Sequence, residues 1–219
     1  DIFILLIGLV VIGILVIGIL QIIRAVLSGR RYCPQQIFLV RLSKEKPNED
    51  RQENSAQRLK EEIAKGETVF AAIGGLRAQR GFNKWFLGRT DHFSFEIVAS
   101  HNKIAFYAVA PKREARYLEQ QIHAHYPEAM VEEVDDYNAF NLKSQISAGY
   151  LKTSKQSLFP IRTYQDMEVD PMNSLINVLS KLSKEESLVI QYTVRSAHGS
   201  WHRKVRRIVR RINEKNSVS

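Results

Sequence analysis

The chain has 219 residues, with 32 Lys and Arg against 23 Asp and Glu, for a formal net charge of +9. Its single cysteine, Cys33, excludes an intrachain disulfide framework and fits a reducing compartment. The charge is unevenly placed: Arg203, Lys204, Arg206, Arg207, Arg210 and Arg211 supply six basic side chains within nine residues, and the remainder is only mildly basic.

Ile2 to Ile23 holds no charged residue. At helical rise this run spans about 33 Å, enough to cross a hydrocarbon core of roughly 30 Å. The reading is a transmembrane helix within a segment 1–31. A buried core helix suits shorter runs. A secretory signal needs a basic residue before the run and a small-residue cleavage site after it, whereas here Arg24, Arg30 and Arg31 follow. Together with Arg41 they place positive charge on the C-terminal flank, which predicts a single membrane pass with the N-terminus outside and the C-terminus cytoplasmic. Gly8, Gly13 and Gly18 recur every five residues, so they do not stack as a GxxxG pairing face. Cys33, just past the span, is placed where S-acylation occurs, although an unmodified thiol is the simpler state. A chain that opens on Asp1 rather than methionine reads as a fragment of a longer protein.

Gln36 to Leu42 is short, apolar and β-rich and predicts a strand, followed by a solvated loop from Ser43 to Ser55. Ser55 is suited to cap a helix carrying Leu59 and Ile63; the pattern fades near Gly66, resumes through Val69, Phe70 and Ile73, and ends at Gly74-Gly75. Leu76 to Asp91 holds Gly81 and Gly88 with Phe82, Trp85 and Phe86, and reads as a long ordered loop suited to lie on the membrane. Phe93, Phe95, Ile97 and Ala99 alternate with Ser94, Glu96 and Val98, then His101-Asn102-Lys103 turns the chain into Ile104 to Val109, a β-hairpin. Pro111 is read as opening a helix with Ala115, Leu118, Gln121, Ile122 and His125 on one face, stopped by Tyr126-Pro127. Ala129 to Val134 predicts a strand. The order βαββαβ closes most simply as a ferredoxin-like sandwich over 32–137.

A second unit, 138–199, follows the acidic stretch Glu132 to Tyr137. Lys143 to Tyr150 and Leu151 to Tyr164 read as a β-pair broken at Pro160. Asp170 caps a helix with Pro171 at its first position and Leu175, Val178, Leu179 and Leu182 along one side, and Leu188 to Val194 is a strand. The result is a ββαβ half-unit and an α+β fold class overall. In the tail, 200–219, Trp201, Val205, Ile208, Val209 and Ile212 form an apolar stripe among the six basic residues, a basic amphipathic helix. Three uses stay open for Trp201, Arg203, Lys204, Arg206, Arg207, Arg210 and Arg211: anionic lipid, nucleic-acid phosphates, or packing on this domain or on a motor beyond Ser219.

Several short pieces occur in a characteristic order: Phe95-Glu96-Ile97, Phe106-Tyr107 with Pro111, Gln121-Ile122 with Tyr126-Pro127, Glu132 to Tyr137, Asp170-Pro171-Met172, Leu179 to Leu182, and Ile190-Gln191. With the leading apolar helix, they resemble the membrane-anchored N-terminal region of type IV secretion or conjugation-type ATPases, relatives of the TraG and HerA motors of Gram-positive and candidate-phyla bacteria. The resemblance implies a cytoplasmic module between a membrane anchor and an ATPase motor, in cis or in trans, with homo-oligomerisation through that motor. It supplies no catalytic residue.

No G-x-x-x-x-G-K-[ST] occurs, and neither Gly74, Gly75 nor Gly149 starts one, so the chain is not itself the ATPase. His123 and His125 lie about 200° apart on a helix, His198 and His202 lack a completing ligand, and Glu132 to Asp136 alternates across a strand. No cofactor or metal is expected. The expected function is a non-catalytic membrane anchor and assembly module. One rival is a self-standing adaptor that holds nucleic acid or anionic lipid through its tail. The other is a membrane-bound hydrolase with a nonlocal site.

Overall fold

The computed structural model describes residues 2–29, 33–42, 55–139, 144–154, 163 and 171–216. Of the loop expected from Ser43 to Ser55, residues 43–54 lie outside the described residues, as do Arg30, Arg31, Lys143, Pro160, Tyr164 and the expected cap Asp170. In chain order the elements begin with α1 (Ile2–Gly29), β1 (Gln35–Leu42), α2 (Ser55–Gly75), α3 (Phe82–Leu87) and β2 (Phe93–Ser100). They continue with β3 (Lys103–Pro111), α4 (Ala115–His125), β4 (Ala129–Val134), α5 (Pro171–Leu179), β5 (Ser187–Val194) and α6 (Ser200–Asn216). The chain divides into two compact units, Asp1–Pro34 with Gln79–Asp91, and Gln35–Ala78 with His92–Ser219.

In the first unit α1 continues six residues beyond Ile23 and carries Arg24 within its last turns. Leu6–Gly29 is long and apolar enough to cross a membrane, and its side chains are exposed all round. From Leu6 to Leu20 that surface is wholly apolar, which is what a lipid-facing helix presents. The second piece of the unit is an excursion closed at its neck. Asp91 accepts from Arg89 Nε at 2.8 Å, from Arg89 Nη2 at 2.7 Å and from the Gln79 backbone N–H at 2.9 Å. The Gln79 side chain accepts from the Thr90 N–H at 3.1 Å, and the Cys33 thiol donates to the Thr90 carbonyl at 3.6 Å. Burial raises the Asp91 carboxyl, but the Arg89 hydrogen bonds and charge and the Gln79 N–H together hold it below the usual carboxylate range. The stretch expected as loop therefore contains a helix, α3, between Gly81 (φ 109°, ψ 162°) and Gly88 (φ 88°, ψ 164°). Both glycines sit in a backbone region that side chains exclude, so each can turn the chain sharply where another residue would be strained. Trp85 and Lys84 donate their N–H groups to the Gly81 carbonyl and start the helix.

The second unit is a five-stranded sheet in the order β4-β1-β3-β2-β5, with every neighbouring pair antiparallel. The β2–β3 connection is a two-residue turn in which His101 (φ 52°) and Asn102 (φ 60°) both take positive φ, matching the twist of the hairpin. Phe38, Phe93, Ala108 and Ala110 on one sheet face meet Val69 and Ile73 of α2 and Ala115, Leu118 and Ile122 of α4. A second cluster joins Ile97 and Ala99 of β2 to Leu179 of α5, with Met172, Leu175, Leu182, Leu188 and Ile190 around it. Alternate strand side chains point to one sheet face, and i, i+3, i+4 spacing lines up one side of each helix against it; β2, in the interior of the sheet, is covered on both faces.

Four further expectations need correction. Helix α2 runs unbroken through Gly66, because the absent side chain there admits Tyr126, whose hydroxyl donates to the Glu62 carbonyl at 2.9 Å. Pro111 ends β3, pairing with Gln35, and does not open α4; a proline without an N–H is tolerated at a strand end, and Glu114 N–H closes the next turn on its carbonyl at 2.8 Å. Val178 faces solvent while Met172 joins Leu175 and Leu179 against the sheet. No strand occurs among the described residues of 143–164, and β5 extends the first sheet beside β2 where a separate ββαβ half-unit was expected. The exposed edge of β2 already needed a partner, and pairing there satisfies its ladder groups.

Candidate functional site

Helix α6 carries every residue singled out in the tail. Projected at 100° per residue, Trp201, Val205, Ile208, Val209 and Ile212 fall within an arc of about 100°, and the six basic residues fill an opposite arc of about 160°. The helix opens with the Trp201 N–H on the His198 carbonyl at 2.9 Å. The Trp201 ring meets His202 edge-on at 5.0 Å. Val205 and Ile208 are half-buried, while Trp201, Val209 and Ile212 are exposed, so much of the apolar stripe stays open. All six basic side chains are exposed. Arg210 pairs with Glu214 at 2.8 Å one turn on, and Arg206 reaches the His202 carbonyl at 3.5 Å. Among the described residues, Arg203, Lys204, Arg207 and Arg211 have no carboxylate partner within ion-pair distance. An exposed single pair adds only about 0.3–0.5 kcal/mol, so the Arg210 charge is still available to an anionic surface.

A polar cluster assembled from distant parts of the chain lies on the sheet face turned away from α2 and α4. Glu96 is buried, 7% exposed, in the middle of β2. Its carboxylate accepts from the Tyr137 hydroxyl, from Gln191 Nε2 at 2.7 Å and from Ser94 Oγ at 2.8 Å. The Tyr137 ring stacks on Tyr107 at 4.5 Å. Burial, then the hydrogen bond to Glu96 and its charge, push the Tyr137 phenol far above its ordinary value, so the phenol remains a donor throughout the physiological range. With its oxygens thus engaged, Glu96 pins the segment after β4 onto the sheet and bridges β2 to β5. Sequence reasoning missed this cluster; the available signal was a carboxylate in an alternating apolar strand, at the Phe95-Glu96-Ile97 piece.

Other candidates are dispersed. Glu132 pairs with Arg41 at 3.2 Å on the surface, and Glu133, next along β4, points to the opposite face. His123, His125, His198 and His202 do not converge, and among the described residues no group of three or more His, Cys, Asp or Glu could hold a metal ion. A groove of about 310 Å³ lies over Phe70, Phe95, Phe106 and Tyr192, with an almost wholly apolar lining. Such a lining has few groups to orient a polar substrate.

These features define a class: an α+β domain in the same chain as one helix long and apolar enough to cross a membrane. Residues 45–217 match the DUF8128 family, described as a domain of unknown function, and because the match covers most of the chain, the chain belongs to that family. No curated protein and no solved structure gives a significant match.

Proposed function

We propose that this chain is a non-catalytic, membrane-tethered module that holds a DNA- or protein-translocating ATPase at the cytoplasmic face of a bacterial membrane. In this reading α1 crosses the bilayer with its N-terminus outside, because Arg24, Arg30, Arg31 and Arg41 follow the span. The observation that carries the reading is the pairing, in one chain, of a span-length apolar helix with α6, whose basic and apolar arcs are both open. Tethering raises a weak partner's local concentration without new contacts. The motor enters through the resemblance to TraG- and HerA-type ATPases, and homo-oligomerisation would follow from the motor's assembly. The full engagement of Glu96 supports a structural role for the one buried carboxylate of the sheet.

A second reading is favoured by the clean separation of the two arcs of α6: a self-standing adaptor that holds anionic lipid or nucleic acid through Arg203, Lys204, Arg206, Arg207, Arg210 and Arg211. The test begins with the genomic frame and its neighbours, where a G-x-x-x-x-G-K-[ST] ATPase is expected. Recovery of that ATPase in membranes is then measured with and without this chain. Loss of membrane recovery on deletion supports the tether. An ATPase equally membrane-bound without the chain overturns it. Binding of DNA or anionic vesicles that falls in the Arg206→Gln, Arg207→Gln, Arg210→Gln, Arg211→Gln variant would instead support the adaptor.

A further inference from the structure

The excursion Gln79–Asp91 is built to present α3. Its neck is closed by Asp91, Arg89, Gln79 and Thr90, and its two corners are glycines in a backbone region closed to other residues. Six residues so firmly framed would ordinarily bury their aromatic side chains. Here Phe82 is 71% exposed and Trp85 is 75% exposed. Phe86 is half-buried and stacks parallel to Phe82 at 5.9 Å, so the rings form one patch.

The surroundings of that patch point to what covers it. Helix α3 packs against α1 within the same unit. The neck touches Cys33, four residues beyond the last residue of α1. Leu87 is only three residues from Thr90, a reach of at most about 10 Å, so α3 belongs to the C-terminal end of the span. The exposed Arg80 and the half-buried Lys84 neighbour Phe82 and Trp85 in the sequence, and Arg24 lies on the last turns of α1. Aromatic rings with basic neighbours at the end of a membrane-crossing helix are the composition that settles at the headgroup boundary.

We propose that α3 is an interfacial anchor: Phe82 and Trp85 insert at the headgroup–acyl boundary of the leaflet reached by the C-terminal end of α1, with Arg80 and Lys84 on anionic headgroups. The proposal rests on the reading of α1 as a membrane span and adds a second, lateral attachment to it. The chain passes between the two units at residues 34/35, 78/79 and 91/92, so α3 gives the sheet domain's polypeptide further covalent connections to a membrane-bound segment.

The two tryptophans allow a direct test on the full chain in vesicles of zwitterionic and of mixed anionic lipid. In Trp201→Phe, Trp85 is the sole reporter, and flotation of the vesicles reads α1 insertion separately. The expected result is blue-shifted Trp85 emission with quenching of about twofold or more by lipids brominated near the headgroup, and weaker quenching by deeply brominated lipids. The double variant Phe82→Ser, Trp85→Ser should still float, while trypsin cleavage after Arg80 and Lys84, read by mass spectrometry, rises about tenfold as the excursion leaves the interface. Flotation with Trp85 open to acrylamide and insensitive to brominated lipid overturns the anchor and leaves the span standing. Unchanged cleavage in the double variant also overturns it. Failure of the chain to float overturns the span and the anchor together.

Discussion

At Leu118 the sheet domain rests on apolar contact, the side chain fully buried among α2, α4 and the strands, whereas at Asp91 the Gln79–Asp91 excursion rests on one carboxylate shared by Arg89 and the Gln79 backbone. The first arrangement is spread over many weak contacts and carries little dependence on pH or salt. The second concentrates its stability in a few polar bonds that one proton can remove. Regions held in these two ways should fail under different conditions, and the differences can be measured.

The largest effect is expected where burial is complete. Leu118→Ala should destabilise the sheet domain by roughly 2–5 kcal/mol, the lost transfer energy plus the cavity, in urea titrations of the full chain in mild detergent. An effect below about 1 kcal/mol would mean that the helix α4 contact is not part of the core. Asp91→Asn comes next, at about 1.5–3 kcal/mol for lost hydrogen bonds to a charged group, and it should act locally. Hydrogen exchange should quicken over Gln79–Asp91 while the amides of β2 and β3 keep their protection. Equal acceleration in both would dissolve the contrast between the two regions.

Acid sharpens the same contrast. The Asp91 carboxyl is held below its ordinary value of 3.8 when folded. Its contribution is therefore complete above the unfolded value and is lost as pH falls through the folded one. The neck should begin to loosen below about pH 4 and open fully only once pH has fallen through the lower folded value, detected as exchange or proteolysis at Gln79–Asp91, with no such acid dependence in the Asp91→Asn chain.

Tyr137→Phe should cost about 1 kcal/mol, because one of three donors to a buried carboxylate disappears. Loss of chemical-shift order in residues 135–139 with β2 unaltered would identify the bond as the pin of that segment. The smallest effect is at the hairpin: Asn102→Gly should stabilise by a few tenths of a kcal/mol, since Asn102 already occupies positive φ, where glycine carries less strain.

Much of the fold is legible in short stretches of the sequence. Alternation at Phe93, Phe95, Ile97 and Ala99 marks β2 and the face it turns to the helices, although Ser94, Glu96 and Val98 on its other face are buried as well, and the β4 limits at Ala129 and Val134 coincide with the expected strand. Helix faces are legible where spacing is regular, as at Ala115, Leu118 and Ile122. Gly66 misleads, because a glycine weakens a helical pattern locally while its reason, the approach of Tyr126, lies 60 residues away in the chain. Val178 misleads for a related cause: spacing identifies an apolar arc, and only the packed sheet selects which part of it is covered.

The candidate sites divide along the same line. The stripe and basic arc of α6 follow from spacing alone, since one helix contains them both. The Glu96 cluster does not, because Tyr137 and Gln191 reach it from 41 and 95 residues away. Local pattern determined the apolar span, the strands, most of the helices and the charged tail, each of which depends on neighbours a few residues apart. Only tertiary structure decided that β5 joins β2, that Asp91 closes the neck, and that Phe82 and Trp85 remain uncovered beside α1. Pairing, closure and exposure depend on which distant segments compete for the same surface, and no short window of sequence contains that competition.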